Sequence, residues 1–351
     1  MTRTLRTASE AEIAVWVITP NGAALASKIA AGIPKAEVYV AQKLAGPAEV
    51  RRFESLAQAV AECFHRYTGH VFIMATGIVV RTVAPLMIHK TQDPAVVVTD
   101  DRGQFAISLL SGHLGGANRL AQQVAAAIGA KPVITTATDV NAVPAIDLLA
   151  REAGIVIENP QAIKTVNMAL LTGAAVEVHD PFGLLSHRIP NARGLGPGGP
   201  LVARLFVDDR LLDAPSGALI LRPPSLVAGI GCNRGTAADE IRELLFATLR
   251  EAGLCRASLR GLASIDLKAD EPGLIALAQE LGLPIEFFGR DEINRVGGAV
   301  PTPSAMVEKH IGVKSVCEAT AILATRGGEL VVPKRTTRNA TVAIARVNFT
   351  S

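Results

Sequence analysis

The sequence predicts a multidomain α/β protein. Along most of its 351 residues, short apolar runs of strand length alternate with stretches of helical spacing, a pattern typical of parallel sheets with helices on both faces. Hydrophobic residues make up 49% of the chain and aromatic residues only 4%, so aliphatic side chains must build most of the core. We predict an N-terminal parallel-sheet domain at 1–139, a smaller central α/β domain at 140–222 and a C-terminal α/β domain at 226–348.

The N-terminal domain follows residues 1–11, which we expect to be a frayed tail. Its predicted strands are continuous apolar runs, at 13–18, 37–40, 71–74, 95–99 and 132–136. Its predicted helices lie at 23–31, 53–67, 78–88 and 117–128. Pro85 interrupts the third of these, so we expect that helix to kink or end early. Residues 104–110 should be short and extended, and 44–50 should form a polar link.

The central domain has a weaker pattern. Helical spacing is found at 145–153 and 161–171, and strand-like runs at 155–157 and 175–178. Residues 190–200 are rich in glycine and proline and predict an exposed loop. The sequence Arg-Pro-Pro-Ser at 222–225 is the best linker in the chain.

The C-terminal domain begins with a strand that runs into a glycine turn, at 226–236. Two further strands are predicted at 262–266 and 285–288, and helices at 237–252, 271–281, 304–310 and 315–324. The runs at 330–332 and 341–345 predict a hairpin around the basic loop 333–339, which contains Lys334, Arg335 and Arg338.

Two glycine turns in the N-terminal domain are the first candidate site. Ala75, Thr76 and Gly77 follow one predicted strand, and the loop 111–118, SGHLGGAN, follows another apolar run. The start of a helix presents unpaired N–H groups that attract phosphate or carboxylate. Ligands of such sheets bind beyond the carboxyl ends of the strands. We therefore predict that both turns contribute to one rim of a single site.

The composition argues against several functions. A net charge of +3 and few aromatic residues do not favour nucleic-acid binding. The four cysteines form no C-x-x-C pair and are expected to be buried thiols. The histidines lack metal-ligand spacing, so we expect no protein-bound metal. No apolar run is long enough for a membrane span, and no signal peptide is evident, which predicts a soluble cytoplasmic protein.

Several residues allow two interpretations from the sequence alone. His113 is either a satisfied histidine or a catalytic one placed by its glycine-rich loop, and His89 with Lys90 either caps a helix or takes part in the chemistry. The basic loop is either a solvated hairpin tip or an anion clamp. The turn 229–235 resembles the start of a dinucleotide-binding fingerprint, but its third glycine stands one position late.

Several motifs in order resemble the CbiG family. ATGIVVR, HK and SGHLGGAN, within 73–139, resemble its amino-terminal domain. The carboxyl-terminal part resembles the CobE-like domain of that family, and the central part is less similar. The CobE-like motifs are GIGCNRGT at 229–236, IDLKADE at 265–271, FFGRDEIN at 287–294, TPSAMVEKHIGVKSVCEATAI at 302–322 and NATVAIAR at 339–346.

The resemblance implies a step of oxygen-independent cobalamin biosynthesis. Members of this family hydrolyse the ring A acetate δ-lactone of cobalt-precorrin-5A and expel the methylated bridge carbon as acetaldehyde, giving cobalt-precorrin-5B. The cobalt then belongs to the substrate and no protein cofactor is implied. The expected partner is this cobalt-corrinoid, with other enzymes of the pathway and a second copy of the chain as further candidates.

For this reaction we predict catalytic and substrate-binding groups from the residues discussed above. The predicted catalytic residues are His113, His89 and Lys90, with the N–H groups of Gly115 and Gly116 holding the oxyanion. The substrate carboxylates should meet residues on two rims: Thr76, Gly77, Arg81, Gly112, Gly115, Gly116, Asn118 and Arg119 on one, and Lys334, Arg335 and Arg338 on the other. Two alternatives remain: a non-catalytic carrier of corrinoid intermediates, and a nucleotide-binding protein built on the turn at 229–235.

Overall fold

The computed structural model describes residues 12–44, 50–89, 92–196, 203–296, 301–302 and 315–349. The chain forms two compact units, Met1–Leu148 and Leu149–Ser351. The predicted mixed α/β architecture is confirmed, because both units contain largely parallel sheets packed against helices. The division into three domains stays a prediction. In the described ranges, no helix combines the length and the apolar character needed to cross a membrane.

The first unit is built on a seven-stranded sheet. Its strands are β1 (Ile13–Val17), β2 (Ala36–Ala41), β3 (Arg51–Phe53), β4 (Gly69–Ile73), β5 (Ala95–Thr99), β6 (Phe105–Leu110) and β7 (Lys131–Val133). Their order across the sheet is β3-β2-β1-β4-β5-β6-β7. Its helices are α1 (Pro20–Gly32), α2 (Leu56–Cys63), α3 (Thr76–Val83), α4 (Ala117–Ile128), α5 (Ala137–Val140) and α6 (Ile146–Glu152), the last of which runs into the second unit.

Helices pack on both faces of this sheet, and successive side chains of each strand point to opposite faces. Val15 and Val17 of β1 pack with α1 and α4, whereas Ala14 and Trp16 pack with α2 and α3. The prediction for Pro85 is confirmed: α3 ends at Val83 and a 3₁₀ turn follows, because proline has no N–H to continue the helix. The predicted start of the second helix at residue 53 is wrong, since β3 forms there and α2 begins only after Ser55.

The sheet of the first unit is not wholly parallel, and this corrects the prediction of a single rim. Strand β6 pairs antiparallel with β5, with Leu110 opposite Val96 and Ala106 opposite Thr99. The carboxyl end of β6 therefore lies at the edge where β4 and β5 begin. The loop 111–118 starts at that edge, whereas Thr76 follows the far end of β4. The two glycine turns lie at opposite edges, separated by strands of roughly 16 Å.

The second unit begins with a five-stranded sheet. Its strands are β8 (Val156–Ile157), β9 (Val176–His179), β10 (Ala192–Arg193), β11 (Ala203–Val207) and β12 (Leu219–Arg222), in the order β10-β9-β11-β12-β8, and α7 (Ile163–Thr172) packs against it. All pairs are parallel except β12 with β8. Strands β10 to β12 were not predicted, and β10 lies inside the segment predicted as an exposed loop.

A second five-stranded sheet completes this unit. Its strands are β13 (Leu226–Cys232), β14 (Leu259–Ile265), β15 (Ile285–Phe288), β16 (Glu329–Thr336) and β17 (Ala340–Arg346), in the order β15-β14-β13-β17-β16. Its helices are α8 (Ala238–Glu251), α9 (Pro272–Leu281), α10 (Arg290–Arg295) and α11 (Val316–Ala324). The predicted helix 304–310 lies outside the described residues.

The linker between these two sheets is short and buried rather than exposed. Arg222 is 2% exposed and Ser225 is fully buried. Asp209, at the end of β11, is also fully buried and accepts hydrogen bonds from Ser225 Oγ at 2.6 Å and from Arg346 Nε at 2.7 Å. Arg346 Nη2 makes a second bond to Asp209, at 2.8 Å. A bidentate ion pair thus joins the central sheet to the last strand of the chain.

Candidate active site

The glycine loop 111–118 is a closed turn in which the last three amides donate to carbonyl oxygens of the loop itself. The N–H of Gly116 donates to His113 O at 2.9 Å, that of Ala117 to Ser111 O at 3.0 Å and that of Asn118 to Gly112 O at 3.1 Å. Gly116 also adopts a left-handed conformation, with φ of 89°. The prediction that the Gly116 N–H holds an oxyanion is therefore wrong, and the Gly115 N–H remains the candidate.

Two glycines of this loop are needed for close packing. A Cβ on Gly115 would come within 3.0 Å of both Ser111 Cβ and the Ser111 carbonyl oxygen. A Cβ on Gly112 would lie 2.8 Å from Asn118 Oδ1. Ser111 itself has a left-handed backbone, with φ of 59°, and its buried Oγ has no hydrogen-bond partner in the described part of the chain. The loop is thus compact and strained.

His113 stands in this loop with acidic partners on both sides of its ring. Its Nε2 lies 2.8 Å from Thr138 Oγ1 and 3.1 Å from Asp139 Oδ2. Its Nδ1 lies 3.6 Å from Asp147 Oδ2, within ion-pair distance. The histidine side chain is 19% exposed, whereas that of Asp147 is only 6% exposed. We call His113, Asp139 and Asp147 the His113 cluster.

One oxygen of Asp139 accepts several hydrogen bonds. Asp139 Oδ2 accepts hydrogen bonds from Thr136 Oγ1 at 2.7 Å and from Asn118 Nδ2 at 3.0 Å, besides its contact with His113. Asn118 is buried, and its Oδ1 accepts a hydrogen bond from Ser108 Oγ at 2.7 Å. The sequence places Asn118 among the substrate-binding residues, but both ends of its amide are occupied, Nδ2 by Asp139 and Oδ1 by Ser108.

The carboxylates of the cluster raise the pKa of His113 above its ordinary value. Asp147 has the largest effect, partial burial of the ring opposes it, and Asp139 adds to the increase. An imidazolium between two anions is stabilised relative to the neutral ring. His113 therefore accepts a proton as a base only when the pH exceeds this raised pKa.

His89 lies at the same edge of the sheet as His113. Its carbonyl accepts hydrogen bonds from the N–H groups of Gln92 and Asp93, at 2.8 and 2.9 Å. Asp93 is buried, and a Cβ on Gly115 would lie 3.3 Å from its carbonyl oxygen. The turn that carries the exposed His89 thus packs against the glycine loop. Lys90, the third predicted catalytic residue, lies outside the described residues.

The other predicted residues of this rim divide between the two edges. Arg119 is exposed on the first turn of α4, next to the His113 loop. Thr76 and Gly77 begin α3 at the opposite edge, and Arg81 Nη1 donates back to Gly77 O at 3.1 Å. Thr76 and Gly77 therefore cannot share a rim with His113.

The predicted C-terminal hairpin is confirmed, but its cations differ in their surroundings. Lys334 and Arg335 lie within β16 and not in a loop, and only Arg338 lies in the turn. Lys334 Nζ donates to Thr302 O at 2.9 Å, and its N–H donates to the buried Glu318 at 3.0 Å. Arg335 and Arg338 are exposed. Lys334 is structural in this geometry, which leaves two cations for an anionic ligand.

The turn at 229–235 does not have the geometry of a phosphate site. The N–H of Gly235 donates to Glu271 Oε1 at 2.7 Å, and Glu271 is fully buried beside Lys268. A carboxylate thus occupies the place a phosphate would need. A Cβ on Gly229 would come within 3.0 Å of the Cys317 carbonyl, so this glycine lets α11 approach the sheet. This geometry gives the nucleotide-binding alternative no support.

Sequence reasoning missed the acidic partners of His113. In the sequence, Asp139 was noted only as the last residue of the region 73–139 that contains the N-terminal motifs. Asp147 had no distinguishing feature within the predicted helix 145–153. Neither forms a recognisable pattern with His113, because the chain must fold before they meet. In the described ranges, no three His, Cys, Asp or Glu side chains are arranged to hold a metal ion.

Comparison with known proteins identifies the family. Three family models match the chain in order: Cobalamin synthesis G N-terminal at 58–139, Cobalamin biosynthesis central region at 144–223 and Cobalamin synthesis G C-terminus at 226–345. The chain belongs to the CbiG family. The resemblance inferred from the motifs is thereby confirmed. The His113 cluster lies partly in the region of the first CbiG model and partly in that of the second.

Individual relatives within the CbiG family match over nearly the full length. The chain is 32% identical to the cobalt-precorrin-5A hydrolase of Priestia megaterium, over 96% of both chains. It is 36% identical to the cobalt-precorrin-5A hydrolase of Salmonella typhimurium strain LT2, over 92% of this chain and 94% of that one. The crystal structure of CobE, a protein from the cobalamin biosynthetic pathway, matches 36% of this chain and 93% of its own at 43% identity, with a TM-score of 0.34.

Proposed function

We propose that this protein is a cobalt-precorrin-5A hydrolase of cobalamin biosynthesis. The observation that carries the proposal is the near full-length likeness to two relatives that bear this name, at 32% and 36% identity. The His113 cluster supports it, because lactone hydrolysis needs a proton acceptor beside a group that stabilises its charged form. We further expect the protein to act in the cytoplasm beside other enzymes of the pathway.

The proposed reaction needs only water and proton transfers. A base removes a proton from water, and the hydroxide adds to the lactone carbonyl. The ester C–O bond then breaks, which leaves a free carboxylate and an alkoxide on the methylated bridge carbon. The alkoxide becomes the carbonyl of acetaldehyde as the bond between the bridge carbon and the macrocycle breaks. The electron pair of that bond remains on the macrocycle, which takes up a proton.

In this proposal His113 is the base, and its neighbours supply charge stabilisation. Asp139 and Asp147 stabilise the imidazolium that forms when water is deprotonated. The Gly115 N–H is the candidate donor to the oxyanion. Arg119, exposed beside the loop, suits a carboxylate at the edge of the macrocycle. The cobalt ion belongs to the substrate, so the scheme assigns no cofactor to the protein.

The test is release of acetaldehyde from purified protein and cobalt-precorrin-5A. Acetaldehyde can be measured as NADH consumption in a coupled assay with alcohol dehydrogenase, and the complete reaction as a net mass loss of the corrinoid, because the corrinoid gains water and loses acetaldehyde. We expect stoichiometric release by the wild type. Tight binding of the macrocycle without acetaldehyde would contradict hydrolysis and favour a carrier of corrinoid intermediates.

A further inference from the structure

We infer that Asp147 is a positioning residue that fixes the orientation of His113 and keeps a proton on its Nδ1, so that Nε2 is the nitrogen that accepts the proton of water. The inference deepens the proposed hydrolysis and rests on it for its catalytic part. The orientation of the ring can be tested without any substrate.

The burial of the two carboxylates separates their roles. Asp147 is 6% exposed and Asp139 is 30% exposed, on opposite sides of the ring. The Nδ1 side of the ring is therefore more closed to solvent than the Nε2 side, where Thr138 Oγ1 and Asp139 Oδ2 lie. In this inference water meets the ring on the Nε2 side. The buried carboxylate is suited to a fixed partner, as in an Asp-His pair where the acid sets the tautomer.

The local fold holds Asp147 in place. It lies in the first turn of α6, where the helix dipole stabilises a negative charge. Its helix neighbour Ile146 is fully buried, which anchors this turn in the core. The carboxylate is thus held on a rigid element, in contrast to a partner on an exposed loop.

Asp139 is poorly suited to be the base itself. Its Oδ2 already accepts hydrogen bonds from Thr136 Oγ1 and Asn118 Nδ2, besides its contact with His113. A carboxylate oxygen with its acceptor sites occupied is poorly placed to take a proton from water. We therefore assign Asp139 as the neighbour of Nε2 on the more exposed side of the ring. Asp139 and Asp147 both lie within ion-pair distance of His113.

The first experiment is a histidine titration by NMR with imidazole nitrogens labelled by ¹⁵N. In the wild type, neutral His113 should carry its proton on Nδ1, with a midpoint above the ordinary value of about 6.5. In Asp147→Asn the midpoint should fall, and the tautomer population should move toward Nε2–H. A wild-type protein whose neutral His113 carries its proton on Nε2 would overturn the inference, even if the variant does not fold.

A matched control is available in the second unit. His179 Nε2 lies 2.7 Å from Asp208 Oδ2, a closer pair than that of His113 with Asp147. Asp208→Asn should leave the titration and tautomer of His113 unaltered. If Asp147→Asn gives no change at His113, or if Asp208→Asn gives the same change there, the inference is contradicted.

The second experiment measures kcat and KM against pH. Asp147→Asn should lower kcat by about 10²–10⁴-fold, leave KM within about threefold and move the rising limb of the profile to lower pH. An unshifted limb would contradict the role of Asp147. A wild type that releases no acetaldehyde would defeat the proposed function, while the NMR comparison would still decide whether Asp147 orients His113.

Discussion

Trp16 donates its indole N–H to Nδ1 of His70 over 3.1 Å, and this bond fixes the state of a fully buried histidine. His70 Nε2 lies 2.9 Å from the carbonyl oxygen of Phe64, so it must carry the proton that this carbonyl accepts. A second proton on Nδ1 would face the indole N–H with no acceptor. Burial lowers the pKa of His70 to about 4. The first unit is therefore built to hold a neutral histidine.

We predict from this pair that the first unit loses stability in mild acid. The unfolded chain takes up a proton at His70 near pH 6.5, whereas the folded chain does so only near pH 4. Stability from this group is complete above the unfolded value and falls as the pH decreases between the two, by about 2 kcal/mol from pH 7 to pH 5. Urea unfolding followed by fluorescence of Trp16, the single tryptophan, measures it.

His70→Gln supplies the control for this prediction. Its free energy of unfolding should be lower at pH 7, because a buried aromatic ring is lost from between Phe64 and Phe72. It should also depend less on pH between 7 and 5 than that of the wild type. Equal pH dependence in the two proteins would show that another group causes the acid sensitivity.

We predict that His113→Ala removes the base and leaves binding nearly intact. The expected fall in kcat is about 10²–10⁴-fold, with KM little changed, because a proton acceptor works mainly in the transition state. His187→Ala, at an exposed histidine of the second unit, is the matched control and should retain wild-type kcat. Normal turnover by His113→Ala would make His89 the next candidate base, and normal turnover by the His89 variant as well would exclude a histidine of this region.

We predict that Gly115→Ala damages the loop that carries His113. Its Cβ would meet Ser111 backbone and Cβ atoms that cannot move away without shifting the loop. The expected cost is about 1–3 kcal/mol of unfolding free energy, with a lower kcat. Gly194→Ala is a suitable control, because its Cβ would meet no atom within 4 Å. Thermal unfolding and acetaldehyde release together measure the effect, and a wild-type result for Gly115→Ala would show that the loop adapts.

We predict different outcomes for the three cations of the C-terminal hairpin. The double variant Arg335→Gln/Arg338→Gln should raise KM, weaken its salt dependence and leave kcat nearly intact, because both side chains are exposed. Lys334→Gln should instead lower the stability of the second unit, because it loses the bond to Thr302. Steady-state kinetics at two salt concentrations would distinguish these effects, and an unchanged KM in the double variant would argue against substrate contact.

The sequence was sufficient for most strands and helices but not for the direction of β6. An apolar run such as 107–110 predicts an extended segment but does not indicate whether the strand is parallel or antiparallel to its neighbour. One signal was overlooked: β5 ends at Thr99 and β6 begins at Phe105, and so short a connection permits only an antiparallel pair. The error placed Thr76 and His113 on one rim.

Of the candidate site, only His113 was predictable from the sequence. The glycines around His113 made that residue stand out, whereas its acidic partners did not. Asp139 is 26 residues away along the chain, and Asp147 farther still. Their approach to His113 depends on how β7, α5 and α6 return to the loop, which no local spacing encodes. Likewise, the hairpin was predicted correctly, but the partner of Lys334 depends on the tertiary position of Thr302.

The ion pair of Asp209 with Arg346 has a practical consequence for dissecting this protein. A fragment that stops at the linker after Arg222 would leave Asp209 without its guanidinium and without Ser225, its other hydrogen-bond donor. A buried carboxylate without either partner makes the folding free energy of the fragment less favourable. Expression of the central sheet as a separate piece should therefore yield insoluble material, and residues 149–349 should be produced together.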